Sequence, residues 1–221
     1  MSWPTGVEDL IREQHALGQR RPDPWQPGEH PRVGGCFACF SGDGPGRAGE
    51  PVWAAAAAGD ETATARGETL APYRPGLLAL RAGPALEAAV RALPHAPDVL
   101  IVDATGRDHP RRAGLALHLG DVLDMPTIGV THRTLLAHGD WPAPQRGART
   151  PLFLDGEEVG AWLRVAPHAR PIAVHAGWRT DPDTAIAIVL AVARRVRTPE
   201  PLRAARRAAR LLRGASTLDR A

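Results

Sequence analysis

Residues able to do chemistry are densest in one stretch, Leu100-Ile-Val-Asp-Ala-Thr-Gly-Arg-Asp-His-Pro-Arg-Arg112. Asp103 ends a short apolar segment of strand-like composition, and α/β proteins place ligands and metals at the carboxyl ends of such strands. A carboxylate at this position suits a hard cation such as magnesium. The loop that follows contains Gly106, His109 and Arg111, where backbone N–H groups can meet a phosphate. Asp103 taken alone is equally compatible with a simple cap or turn.

The elements around this stretch must bring those residues to one edge of a sheet. Three apparent strands at residues 35–40, 52–58 and 62–70 are separated by Gly-rich turns, which predicts an antiparallel meander. Strand and helix patterns then alternate, which predicts parallel pairing through right-handed crossovers. Further strands are predicted at 99–102, 127–130, 151–154, 159–165 and 172–175, and helices at 8–20, 84–93 (with Pro84 in its first turn), 109–122 and 184–196. The fold class is therefore α/β, with a mixed sheet flanked by helices.

The chain divides into one large unit with short additions. Residues 1–32 are expected to form an N-terminal helix and a Pro-rich connector, residues 33–213 a single domain, and residues 214–221 a C-terminal tail. Between residues 194 and 213 there are eight arginines and one acid, Glu200. This run favours a solvated helix face over a phosphate-binding surface.

Composition excludes several classes of protein. The 221 residues are 43% hydrophobic and 23% charged, with a net charge of +3, which excludes a wholly disordered chain. No run approaches the roughly 20 apolar residues of a membrane span. Two cysteines cannot build a disulfide framework, so a cytoplasmic location is expected. All 27 basic residues are arginine, which excludes lysine-based catalysis and offers planar contacts to phosphate. No pattern specifies an oligomeric state.

Several blocks occur in the order typical of one family of proteins. The stretch after the apolar segment matches Asp-Gly-x-Gly-x-x-His-Pro-Arg-x-x-Gly-x-Ala, with Ala104 as the one departure. Upstream lies Pro72-Tyr-Arg-Pro-Gly-Leu-Leu78, and downstream lie Pro126-Thr-Ile-Gly-Val130 and Pro199-Glu-Pro201. Over roughly residues 33–207 the chain thus resembles the endonuclease V family, and collinear blocks are more specific than any single pattern.

The resemblance implies a ribonuclease-H-like fold and a nucleic-acid substrate. Members of that family cleave DNA or RNA near deaminated purines, chiefly hypoxanthine, at the second phosphodiester on the 3′ side, with magnesium or manganese. A Pro-Tyr-x-Pro loop wedges into the strand while a pocket takes the flipped base. Tyr73 would be the wedge, because an aromatic face held between prolines can replace a lost stacking partner; the alternative is an ordinary half-buried aromatic. The implied nucleic-acid contacts are Pro72, Tyr73, Pro75, Gly76, Gly106, His109, Arg111, Arg112 and Arg179.

The residues that the family uses for metal chemistry are mostly replaced. Its first-strand Asp corresponds to Cys36, the Glu after the wedge loop to Ala82, and the His of Gly-His-Arg to Trp178. The family's Lys corresponds to His132, so Asp103 alone is kept. Carboxylate-held cations orient water and neutralise the leaving oxygen in phosphodiester hydrolysis. The replacements therefore predict a loss of family-type catalysis.

The replacing residues suggest other chemistry less strongly. Cys36 and Cys39 form a C-x-x-C pair, but in a strand they point to opposite faces, so joint zinc binding would need a bulge. A hydrolytic Cys36 beside a histidine and Asp103 is conceivable, although a buried cysteine is usually inert. Trp178 could stack a base, but filling the vacated space is favoured.

Three hypotheses follow. The favoured one is an endonuclease V-like protein that has lost nuclease activity but still binds DNA or RNA, without a cofactor. The first alternative is an active nuclease with magnesium or manganese on a reduced site, where Asp103 is helped by Asp108, Asp181 or Asp183. The second is a repurposed scaffold or Cys-dependent enzyme acting on a small molecule. Salt-dependent oligonucleotide binding supports the first two, and a cysteine sensitive to alkylation supports the third.

Overall fold

The computed structural model describes residues 3–42, 44, 46–193 and 196–218, with side chains to residue 216. Its elements in chain order are α1 (Val7–Gln19), β1 (Val33–Phe40), β2 (Pro51–Ala58), β3 (Glu61–Glu68), α2 (Ala79–Arg91), β4 (Val99–Val102), α3 (Leu115–Leu123), β5 (Thr127–Thr131), β6 (Arg149–Leu154), β7 (Glu157–Leu163), β8 (Ile172–Ala176), α4 (Pro182–Val192) and α5 (Glu200–Leu218). Within the described residues no helix is long and apolar enough to cross a membrane.

The strands form one eight-stranded mixed sheet in the order β3-β2-β1-β4-β5-β8-β7-β6. β1, β2 and β3 are antiparallel, which confirms the meander, and β1, β4 and β5 are parallel, which confirms the crossovers. The last three strands are instead antiparallel to their neighbours. No helix separates β6, β7 and β8, so each strand pairs with the next one in the antiparallel sense. In the turn between β6 and β7, Asp155 and Gly156 have φ values of 50° and 80°.

Helices cover both faces of the sheet. On one face α1, α2 and α3 pack around a core that includes Leu10, Leu86 and Leu119. On the other face α4 packs on the middle strands, and α5 packs on β1 and β2 through Leu202 and Ala209. Burial of these apolar faces against the sheet is the main favourable contribution to folding. α5 runs without a break through residue 214, where the sequence suggested that a separate tail begins.

The prediction that Pro84 occupies the first turn of α2 is wrong, because the helix begins at Ala79 and Pro84 lies inside it. A proline in a helix leaves the carbonyl four residues earlier without its usual donor. That carbonyl belongs to Leu80, and it accepts a hydrogen bond from the backbone N–H of Leu70 at 2.9 Å. A contact from the segment that follows β3 therefore compensates for the proline, and no local sequence signal indicates it.

The predicted helix at 109–122 is also too long at its N-terminal end. α3 begins only at Leu115, and residues 109–114 form an irregular loop in which Arg112 has a φ of 57°. The loop closes through a 2.8 Å hydrogen bond from the N–H of Gly114 to the carbonyl of Gly106. His109 consequently belongs to a loop, whereas His118 lies on α3.

Candidate functional site

The carboxyl end of β4 lies beside the middle of β1, because these strands are parallel with Cys36 paired to Val102. Asp103 follows directly. A cavity of about 160 Å³ beneath it is lined by Cys36, Ala82 and Asp103, together with apolar groups of Phe37, Ala38, Phe40, Leu78, Leu86 and Leu115. Three positions chosen from the sequence motifs therefore meet in space. Only one of the three carries a carboxylate, and the other two present a thiol and a methyl group.

Asp103 is paired with an arginine. Arg206, on α5, donates a hydrogen bond from Nη2 to Oδ2 of Asp103 at 2.9 Å, and the two side chains are only 21% and 25% exposed. The guanidinium also stands 5.4 Å from the ring centroid of Phe37. The negative charge at the strand end is therefore balanced within the protein by a cation that cannot lose its proton.

His132 lies at the edge of this ion pair. Burial, and next the positive charges of Arg197 and Arg206, lower the pKa of His132, while Asp103 offsets part of the effect. Arg197 also donates to the carbonyl of His132 at 3.3 Å. His132 is thus near Asp103, as its motif position suggested, but in a field that favours the neutral imidazole.

Three other carboxylates that could have supplied metal ligands bind groups other than Asp103 or its neighbours. Asp108 is fully buried and accepts hydrogen bonds from three successive backbone N–H groups, those of residues 135, 136 and 137, at 2.7, 2.7 and 2.8 Å. Asp181 caps α4, and Asp183 forms an ion pair with Arg149. Across the described part of the chain, no group of three or more His, Cys, Asp or Glu side chains is placed to hold a metal ion. Each of these aspartates is therefore engaged by groups other than Asp103 in the described structure.

Tyr73 stands on a loop that is firmly anchored at its base. The side chain of Tyr73 is 48% exposed, and Pro72 and Pro75 are exposed beside it. The carbonyl of Gly76 accepts hydrogen bonds from three side chains, namely Gln14 at 3.1 Å, His109 at 3.1 Å and Arg111 at 2.9 Å. An exposed aromatic on an immobilised loop has the geometry of a wedge.

The anchoring histidine is neutral. Burial lowers the pKa of His109 to about 4, so above pH 5 the ring carries one proton. Its Nε2 faces the Gly76 carbonyl, while its Nδ1 accepts from the backbone N–H of Arg111 at 3.2 Å. This pattern assigns the proton to Nε2. His109 and Arg111, which the motif suggested as phosphate contacts, are therefore placed to hold the loop that carries Tyr73.

A pocket of about 170 Å³ opens beside Tyr73. It is lined by residues of the loop (Tyr73, Gly76, Leu78, Ala79), of the Asp103 segment (Asp103, Ala104, Thr105, His109, Leu115), and by Gln14, Thr131 and Leu135. Its lining combines apolar walls with a few polar groups, as ligand pockets usually do. The pocket joins Tyr73 to Asp103, the two features that the sequence picked out separately.

Three other residues suggested as nucleic-acid contacts lie away from this pocket. Gly106 is buried, and a Cβ there would collide with the carbonyl oxygen of Ala176, so the glycine serves close packing. Arg112 donates to the carbonyl of Leu154 at 2.7 Å and contacts the β6–β7 turn. Arg179 follows β8 with a φ of 50°.

Trp178 is likewise not beside Asp103. It is buried in a small cluster with Leu17, Ala113 and Leu117, and Arg20 lies 4.4 Å over its ring. The ring therefore joins α1 to α3, and a buried ring cannot stack a base. This buried position agrees with the prediction that Trp178 fills space.

The cysteines point to opposite faces of β1, as the strand period predicts. Cys36 is fully buried on the α2 face, whereas Cys39 packs with Trp53 and Ala209 on the α5 face. Burial, and next the negative charge of Asp103, raise the pKa of the Cys36 thiol above its usual range. A nucleophilic or metal-binding cysteine needs the thiolate, which this environment disfavours.

Comparison with known proteins places this site in a family context. The sequence pattern of the family described as Endonuclease V matches residues 32–207. An endonuclease V from Roseiflexus sp. strain RS-1 is 46% identical over 143 residues, covering 65% of this chain and 64% of that protein. The aligned part thus spans less than two thirds of that relative.

Solved structures agree over nearly the whole chain. The endonuclease V of Streptomyces avermitilis superposes with a TM-score of 0.86 at 36% identity, covering 97% of this chain and 96% of that one. The endonuclease V of Ciona intestinalis, crystallised with a 24mer DNA containing an inosine followed by a ribo-adenosine, shares the fold with a TM-score of 0.76 at 21% identity, covering 95% and 98%. The ribonuclease-H-like fold expected from the motifs is confirmed.

Proposed function

The chain belongs to the endonuclease V family, and on that basis we propose that it binds DNA or RNA at a pocket for a deaminated base but has lost the family's nuclease activity. The proposal has two parts. One concerns the cation site at Asp103, and the other concerns the wedge loop that carries Tyr73.

The observation that carries the first part is the ion pair between Asp103 and Arg206. Magnesium binds through oxygen ligands and gives up its water reluctantly. The donor set here does not suit it, because Cys36 offers a protonated thiol, Ala82 offers no donor, and the oxygen of Asp103 is already paired at 2.9 Å. A divalent cation would have to approach a guanidinium to reach the remaining carboxylate. Magnesium and manganese are therefore not proposed as cofactors.

The second part rests on the loop and the pocket. Three hydrogen bonds to one carbonyl fix the loop base, which keeps Tyr73 exposed at the mouth of the pocket. Base stacking on an aromatic side chain contributes about 1–3 kcal/mol. Tyr73 is proposed to occupy the place of an extruded base, and the pocket that extends to Asp103 is proposed to hold the base itself. The inosine-containing DNA in the crystals of the Ciona protein supports a nucleic-acid ligand.

The test uses an end-labelled oligonucleotide that contains one deoxyinosine, incubated with the protein and magnesium, and then with manganese. The expected result is no cleavage but a salt-sensitive gel shift that Tyr73→Ala weakens. Trp141→Ala is the matched control, because Trp141 is also an exposed aromatic, 56% exposed, but lies outside the pocket.

Two outcomes would overturn the proposal. Cleavage at the second phosphodiester beyond the deoxyinosine, abolished by Asp103→Ala, would establish the active nuclease with a reduced metal site. Absence of both cleavage and gel shift would leave the repurposed scaffold, and alkylation of Cys36 in the native protein would then support a Cys-dependent enzyme.

A further inference from the structure

A groove rich in arginine lies along α5 and shares no lining residue with the Tyr73 pocket. It encloses about 600 Å³ between residues 196–198 and the exposed side of the helix. Five arginines line it: Arg197, Arg203, Arg206, Arg207 and Arg210. The arginine-rich sequence from residue 194 to residue 213 favours a solvated helix face. In the structure, several of these arginines instead line one concave surface.

The positive charge of the groove is only partly neutralised. Glu200 pairs with Arg203 at 2.7 Å, and Asp103 pairs with Arg206. In the part of the chain that the structure describes, neither Arg207 nor Arg210 has a carboxylate within ion-pair distance. Charges of one sign that line a concave surface concentrate the field there and attract a ligand of opposite charge.

The arrangement along α5 suits a repeating anion better than a single one. Arg203, Arg206 or Arg207, and Arg210 follow one another at helical spacing, so cations recur about every 5 Å along the axis. Apolar side chains are exposed at the margins, since Val196 is 41% and Leu211 is 69% exposed. A chain of phosphates joined by sugars matches both features, because its charges recur at regular intervals and its sugars present apolar surface.

We propose that this groove binds the sugar–phosphate backbone of a nucleic-acid strand, as a second contact that is indifferent to the bases. The proposal rests on the proposed function, in that the same strand would be engaged at Tyr73. Arg206 connects the two regions, because it lines the groove and donates to Asp103, which lines the pocket beside Tyr73.

The experiment measures fluorescence anisotropy of a labelled single-stranded oligonucleotide, with and without one deoxyinosine, over a range of salt concentrations. The test variant is Arg207→Ala combined with Arg210→Ala. The control is Arg12→Ala combined with Arg91→Ala, which removes the same charge from two exposed helix positions on the opposite face of the sheet. Circular dichroism checks that all variants fold.

The expected change follows from counterion release. Each phosphate contact with a single strand contributes about −0.7 to the slope of log affinity against log salt, so losing two contacts makes the slope shallower by about 1.4 and weakens binding about 25-fold at 0.1 M salt. The loss should be equal for both oligonucleotides, and the control should bind like the unmodified protein.

Three outcomes would overturn the proposal. In the first, the groove variant binds like the control while Tyr73→Ala abolishes the preference for deoxyinosine; the groove proposal then fails and the proposed function stands. In the second, inorganic pyrophosphate displaces the strand as effectively as an unlabelled oligonucleotide does, which would make the groove a site for small anions. If no oligonucleotide binds at all, both proposals fail together.

Discussion

The ion pair between Asp103 and Arg206 should stabilise the fold by an amount that a double-mutant cycle can measure. Asp103→Asn and Arg206→Met each remove one charge and keep the approximate shape of the side chain. A hydrogen bond between charged groups contributes about 1.5–3 kcal/mol when shielded from water, whereas exposed pairs contribute about 0.2–1 kcal/mol. Because the two side chains are 21% and 25% exposed, we expect a coupling energy of about 1.5 kcal/mol.

The assay is urea unfolding of the four proteins of the cycle, at low and at high salt. The matched cycle uses Glu200 and Arg203, whose side chains are 58% and 47% exposed, and for which about 0.3 kcal/mol is expected. High salt should remove the coupling of the exposed pair and leave most of that between Asp103 and Arg206. Equal couplings for both pairs, or a value near zero for Asp103 and Arg206, would refute the argument that this arginine serves as the counter-charge of the site.

Three further predictions concern the elements that hold the site together. Asp108→Ala should lower the free energy of unfolding, measured in urea, by about 2–4 kcal/mol, because three backbone N–H groups, one of them buried, lose their acceptor. A loss below about 1 kcal/mol would contradict this role. Gly76→Ala should weaken binding of the deoxyinosine oligonucleotide while the protein stays folded. The φ of Gly76 is 79°, and a side chain at this φ strains the loop by about 1 kcal/mol. Unchanged affinity would show that the loop does not position Tyr73. His109, His118 and His175 have pKa values lowered to about 4 by burial, so the unfolded chain binds protons below pH 6.5 that the fold does not. The contribution of these histidines to stability should therefore be constant above pH 7 and fall between pH 6.5 and 4, by at most about 3.4 kcal/mol per histidine; pH-independent unfolding across that range would contradict the burial.

The local patterns of the sequence predicted the strands and the pairing of the first five of them. The alternating burial of Glu61–Glu68 and the continuous burial of Val99–Val102 follow directly from the order of polar and apolar residues. Since the strand period places Cys36 and Cys39 on opposite faces, their separation was also predictable. The meeting of Cys36, Ala82 and Asp103 around one cavity followed from the motifs and the parallel pairing together.

What escaped prediction depends on partners that are distant in the chain. Arg206 is 103 residues from Asp103, and nothing near either residue indicates that they pair. The start of α2 was misplaced because the hydrogen bond that tolerates Pro84 comes from Leu70, which lies outside the helix. The motif suggests His109 as a phosphate contact, but a motif names residue types only and does not indicate that this ring is hydrogen-bonded to the carbonyl of Gly76.

We propose above all that an arginine, and not a divalent cation, balances the charge of Asp103. Titration of the 221-residue protein with manganese, with free Mn²⁺ followed by electron paramagnetic resonance, tests this claim most directly. If Arg206 is the counter-charge, we expect the unmodified protein and Asp103→Asn to bind manganese equally weakly, with no saturable site. A single saturable manganese site in the unmodified protein that disappears in Asp103→Asn would contradict it.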